Sequence, residues 1–163
     1  MPRRQPGHWV LLCYRLPREP SSPRITVWRN LKRLGVGQLA DGLVTLPADA
    51  RTREQLEWIA EQVTEFGGEA SIWLAQPATL AQERQVIDAM TAARAGEYQS
   101  VIDDAAAMDG SDDRERLRVA SRLAAELGRI ERRDFFPPAQ RERARAAVKA
   151  IATTQAPAKR APR

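Results

Sequence analysis

Residues 36–47, VGQLADGLVTLP, constrain the fold more than any other stretch of this 163-residue chain. Two short apolar segments flank Asp41-Gly42, a dipeptide that favours the tight turn of a β-hairpin. On each side of this hairpin stands one strand-like and one helix-like segment. Upstream, HWVLLCYRL (8–16) is a continuous apolar run bounded by Gly7 and Pro17, which predicts a buried strand. Its Cys13 is expected to be buried and inert. PREPSSP is loop. From Pro23, RITVWRNLKRLG puts Ile25, Trp28, Leu31 and Leu34 at helical spacing, with Arg29, Lys32 and Arg33 opposite. Pro23 suits the first turn and Gly35 the C-cap.

Downstream, RTREQLEWIAEQVTEFGG predicts a second amphipathic helix, with Leu56, Ile59, Val63 and Phe66 inward. Thr52 is placed to cap it and Gly67-Gly68 to end it. GEASIWLAQP (68–77) closes the series as a strand with Ala70, Ile72 and Leu74 on one face. The order is β-α-β-β-α-β. Each helix has one apolar stripe to bury, and two parallel strands flanking a helix must be joined right-handedly. The simplest solution is an α+β, ferredoxin-like sandwich: four antiparallel strands with both helices on one face. Val10, Leu12, Ile25, Leu31, Leu56, Ile59, Val63 and Ile72 are its expected core.

After Pro77 the texture becomes helical. Thr79 with Gln82 is a capping-box signature. Leu80, Val86, Ile87, Met90, Val101 and Ile102 continue at helical spacing to about Met108, with Gly96 a weak point. Asp112 and Glu115 restart a helix whose stripe is Leu117, Ala120, Leu123, Ala124, Leu127 and Ile130. FFPPAQRERARAAVKAIA opens the last helix, with Pro138 in its first turn. The first two of these helices are expected to pack antiparallel through Val86, Met90, Leu117, Ala120 and Leu127. The domains expected are a sandwich over 1–77, an all-helical arm over 78–152 and a disordered basic tail over 153–163.

Charge is distributed unevenly. The net is +5 overall, but residues 1–35 carry +7, 36–76 carry −5, 77–135 carry −3 and 136–163 carry +6. Basic ends around an acidic middle fit a bipolar surface better than a uniformly charged one, and the basic net charge is compatible with binding nucleic acid or an anionic surface. The N-terminal cluster is the densest: Arg15, Arg18, Arg24, Arg29, Lys32 and Arg33 lie between Tyr14 and Leu34, with Glu19 the one acid among them. Arg29, Lys32 and Arg33 share one helix face through i, i+3 and i+4 spacing. The patch has two readings. It either meets phosphates, or it is a solvated face pairing with Glu54, Glu57, Glu61 and Glu65 of the second helix.

Catalytic signatures are sparse. His8 is the one histidine and Cys13 the one cysteine, so no intramolecular disulfide can form, which suits a reducing cytoplasm. No Cys/His spacing suits zinc, and neither a phosphate-binding glycine loop nor a nucleophile elbow is present. Asp103-Asp104 and Asp112-Asp113 are explained by capping and solvation. No run reaches the ~18 apolar residues of a membrane span, and no signal peptide is evident. A cytoplasmic non-enzyme without metal or cofactor is expected.

WVLLCYRLPREPSSPRITVWRNLKRLG, the hairpin LADGLVTLP, the unit TREQLEWIAEQVTEFGGEASIW and the later RRDFFPPAQRERA closely resemble the N-terminal domain of the chromate-resistance regulator family ChrB. The resemblance runs over residues 8–150. More distantly, the pattern is similar to the PaaX-type repressors. It implies a DNA-associated transcriptional regulator. Where small CRISPR-adaptation nucleases of ferredoxin-like fold place a metal-binding Asp, at the end of the first strand, this chain has Tyr14-Arg15, which argues against that chemistry. The family's members carry a separate C-terminal domain linked to chromate sensing, and the expectation is that a partner supplies it here.

Three functions follow as expectations. The first is a DNA-binding module that meets phosphates through Arg15, Arg18, Arg24, Arg29, Lys32 and Arg33. The second is a protein-interaction or homo-oligomerising module acting through the helical arm. The third is an oxyanion sensor for chromate or sulfate, in which Arg15, Arg18 and Arg24 fork around the ion.

Overall fold

The computed structural model describes residues 5–153. The predicted tail, apart from Thr153, lies outside the described residues. The element order is β1 (Trp9–Arg15), α1 (Ser22–Leu34), β2 (Gly37–Ala40), β3 (Leu43–Pro47), α2 (Ala50–Glu65), β4 (Glu69–Ala75), α3 (Leu80–Ala106), α4 (Asp113–Arg132) and α5 (Gln140–Thr153). Backbone contacts divide the chain into two compact units, residues 1–90 and 91–163.

In the first unit the strands form one sheet of order β2-β3-β1-β4, with every neighbouring pair antiparallel. This is the ferredoxin-like arrangement. Gly42 closes the hairpin at φ 72°, a left-handed conformation that favours glycine, and Gly35 ends α1 in the same region at φ 76°. Register places Val10 opposite Leu46 and Leu12 opposite Val44 on one sheet face. All four are fully buried, as are Val27 and Leu31 of α1 and Leu56, Ile59 and Val63 of α2. Burying a side chain of this kind stabilises by roughly 1.5–3 kcal/mol, so these nine residues dominate the unit.

Four expected inward positions are different. Ile25 is 55% exposed, because the stripe of α1 is centred on Val27 and Leu31 and turns Ile25 away. Phe66 is the C-cap residue of α2, beyond its last turn, and is exposed. Leu74 is exposed because β4 is an edge strand. Ile72, in the middle of that strand, is half-buried. Thr52 does not cap α2. Asp49 does, with its carboxylate accepting from the Thr52 N–H at 2.7 Å and the Thr52 hydroxyl accepting from the Asp49 N–H at 3.0 Å.

The opposite sheet face is covered in part by the opening turns of α3. Trp9 Nε1 donates to Glu83 Oε1 at 3.0 Å, and the Gly7 N–H donates to the same oxygen at 2.7 Å. A Cβ on Gly37 would come within 3.1 Å of Met90 Sδ and 3.2 Å of Val86. Val86 and Met90 therefore pack against β2 in this unit, and neither belongs to the core cluster that α3 forms with α4 and α5. Further along this face Cys13 is exposed, which corrects the expectation of a buried thiol. A strand that is an apolar run by composition can still have one face open when nothing packs on it.

The second unit is helical. Tyr98, Val101 and Ala105 of α3, Val119, Leu123, Leu127 and Ile130 of α4, and Ala144 and Val148 of α5 form its core. Contacts of Glu97 with Arg133 and of Asp104 with Arg122 run in opposite chain directions, so α3 and α4 are antiparallel. Leu117 is 58% exposed; the stripe of α4 is instead Val119, Ala120, Leu123, Leu127 and Ile130. Asp112 caps α4 by accepting from the Glu115 N–H at 2.8 Å, as expected. Pro138 precedes α5 by two residues instead of lying in its first turn, and its carbonyl accepts from the Arg141 N–H.

Candidate nucleic-acid interface

The basic residues are positioned by the end of β1, the loop after it and α1. The Tyr14 N–H donates to the Gly42 carbonyl at 2.8 Å, fixing the end of β1 against the hairpin tip. Arg15 is the last residue of β1, Arg18 sits in the loop and Arg24 in the first turn of α1. With Tyr14, Ile25, Trp28 and Asp41 they line an open groove of about 790 Å³. Burial pushes the Tyr14 phenol above its ordinary value; the charge of Arg24 opposes the rise and that of Asp41 adds to it. The phenol is thus a neutral hydrogen-bonding group in the groove wall at physiological pH.

The start of α1 leaves its backbone donors without a side-chain acceptor. Ser21, at the N-cap, makes no capping bond, and the first turn contains no acid. It contains Arg24 instead, a cation at the positive end of the helix dipole. At the other end Lys32 and Arg33 occupy the last turn, where cations complement the dipole. Lys32 Nζ lies 5.4 Å from the centroid of the Trp28 ring, a cation–π contact worth about 0.5–1 kcal/mol at an exposed site.

The expected ion pairs with the glutamates of α2 are not made among the described residues. Among the described residues Arg18, Arg24, Arg29, Lys32 and Arg33 form no ion pair, and all five are exposed. The α1–α2 seam carries a neutral contact, Asn30 Nδ2 donating to Gln62 Oε1 at 2.9 Å, while Glu57 pairs within its own helix with Arg53. Arg15 does have a partner, Glu69 at 2.9 Å, with both side chains about four-fifths exposed. An exposed pair of this kind is worth at most ~1 kcal/mol, so a stronger anion can displace it.

The structure thus gathers Arg15, Arg18 and Arg24 in the groove and places Arg29, Lys32 and Arg33 on the outer face of α1. Sequence reasoning missed the other walls. By their sequence pattern Tyr14, Ile25 and Trp28 read as strand or stripe, and Asp41 as the turn. The hairpin signal was legible, but its docking against the end of β1 depends on the sheet register.

Comparison with known proteins bears on the same region. The family described as "Protein ChrB, N-terminal" matches residues 24–132, a span that includes Arg24, Arg29, Lys32 and Arg33 and begins after Arg15 and Arg18. Protein ChrB of Cupriavidus metallidurans is 32% identical over 133 residues, which cover 79% of this chain and 40% of that protein. The chain therefore spans about two fifths of this relative's length. No solved structure matches the chain. A family match over more than half its length places the chain in the ChrB family, within that family's N-terminal region.

Proposed function

We propose that this chain is a non-enzymatic DNA-binding module of chromate-resistance regulation, meeting duplex phosphates through the loop after β1 and the outer face of α1. Membership of the ChrB family supports the chromate-resistance context. The observation that carries the binding role is the set of five exposed cations without a carboxylate partner, Arg18, Arg24, Arg29, Lys32 and Arg33. The uncapped start of α1 lies in the same patch, and helix N-termini favour phosphate. Phosphate contacts made by such residues fix orientation and contribute affinity without reading sequence.

The test is fluorescence anisotropy on the duplex upstream of the protein's own coding region and on an unrelated duplex of equal length, titrated with salt. Five released contacts predict a slope of log affinity against log salt of about −4 to −5. Absence of binding to either duplex at low salt would refute the proposal. A second reading keeps one specific observation in its favour: Arg15, Arg18 and Arg24 line a single groove, as an oxyanion sensor for chromate or sulfate requires. Calorimetric titration with either anion separates it from DNA binding.

A further inference from the structure

The sheet has two edges, and they are built differently. β2 is four residues long, with a register irregularity between Gln38 and Ala40. Short, bulged edge strands discourage pairing with another chain. β4 has neither protection. It is seven residues long and pairs in unbroken register with β1 from Glu69 to Ala75. Its sequence, EASIWLA, has no proline, lysine or arginine, and its single charge, Glu69, stands at one end. Among the described residues no strand pairs with its outer side. Trp73 is 60% exposed and Leu74 61%, on opposite faces of the strand.

We infer that β4 is a homodimerisation edge, pairing antiparallel with β4 of a second copy to make one continuous eight-stranded sheet. The strand is self-complementary. Pairing centred on Ile72 sets Trp73 opposite Ser71 of the second copy, Leu74 opposite Ala70 and Ala75 opposite Glu69. Ile72 meets Ile72 of the second copy at the centre, Trp73 and Leu74 each meet a small residue, and no like charges meet. The helix above the edge is compatible as well. Gln62 of α2 faces α1, so the opposite side of α2, half a helical turn round, carries Arg53, Glu57, Ala60 and Thr64. Arg53 and Glu57 pair at 2.8 Å, which leaves that flank without net charge, and Ala60 and Thr64 are small enough for α2 of a second copy to approach.

The two-fold axis relating antiparallel neighbours stands perpendicular to the sheet, so both copies place their helices on the same face. The dimer then carries its four helices in one layer in the order α1-α2-α2-α1, with the two α1 helices outermost and related by the two-fold axis, as a two-fold symmetric DNA site would require. The inference itself stands without the nucleic-acid reading, since association is measured in the absence of DNA.

Sedimentation equilibrium of the full chain over a range of concentrations is the test. The expected result is a monomer–dimer equilibrium that Trp73→Lys/Leu74→Lys weakens by roughly tenfold or more, with circular dichroism unchanged because both side chains are exposed in the monomer. In a Cys13→Ser background, Ser71→Cys/Trp73→Cys should give a disulfide-linked dimer on mild oxidation, which reports the register. A wild-type chain that stays monomeric throughout overturns the inference, as does a dimer indifferent to the two lysines. Occupation of the edge by an extended segment of a different protein, without self-association, also overturns it.

Discussion

Tyr98→Phe removes one oxygen from a side-chain hydrogen bond of the helical unit. Tyr98 is fully buried, and its hydroxyl donates to Asp134 Oδ2 at 2.7 Å. The other carboxylate oxygen, Oδ1, is also buried and has no hydrogen-bond partner among the described residues, so the substitution would leave Asp134 without this donor. A hydrogen bond to a charged group is worth about 1.5–3 kcal/mol net, and the ring's packing is retained, so that range is the expected loss. Urea denaturation followed by circular dichroism measures it; the midpoint should fall with little change in slope. Alkaline pH supplies a second readout. Burial, and then the bond to Asp134, raise the Tyr98 phenol above its ordinary value. The folded state therefore holds a proton that the unfolded state loses at about pH 10, and this contribution is complete below that pH and is lost as pH rises above it. Tyr98→Phe should flatten that alkaline decline. A loss under ~0.5 kcal/mol with an unchanged alkaline profile would refute the reasoning.

Leu31→Ala, at a fully buried site beneath α1, should cost ~2–5 kcal/mol by thermal or chemical denaturation. Asp49→Ala should destabilise by about 1 kcal/mol, because it removes the capping box of α2. The hydrogen bond from the Thr52 N–H holds the Asp49 carboxyl below its ordinary value. Its contribution is therefore present above the unfolded value and lost as pH falls through the folded one, so wild type and Asp49→Ala should converge in stability at acid pH.

How much was legible in the sequence depended on whether a signal was local. Asp41-Gly42 and Gly35 announced a hairpin and a helix end because left-handed backbone is a property of the residue itself. The βαββαβ order and the sheet followed from them. The phase of an amphipathic stripe was less secure: in α1 both Ile25-Trp28-Leu31 and Val27-Leu31 fit helical spacing, and the sheet chose the second. Leu74 and Leu117 show the same limit, since an edge strand and an unpartnered helix flank leave apolar residues outside. The turns of α3 that cover Trp9 and Gly37 could not be read, because they meet strands far away along the chain. At the candidate interface the six basic positions were all visible. The lack of carboxylate partners at five of them was not, because it depends on Asn30 and Gln62 occupying the seam where Arg–Glu pairs were equally plausible.

In the proposed function, cations on the loop and on α1 meet phosphates. The most direct test compares the salt dependence of DNA binding by the wild type, Arg29→Ala/Lys32→Ala/Arg33→Ala, and Arg15→Ala/Arg18→Ala/Arg24→Ala. Each triple removes exposed side chains, for which stability effects usually stay within ~0.5 kcal/mol apiece, and the thermal midpoint monitors this. If all three α1 cations contact phosphate, the first triple should lower the magnitude of the salt slope by ~2.7 on B-DNA, and weaken upstream and unrelated duplexes alike. The groove triple should act in the same direction. Wild-type affinity and wild-type slope in the α1 triple would contradict the account.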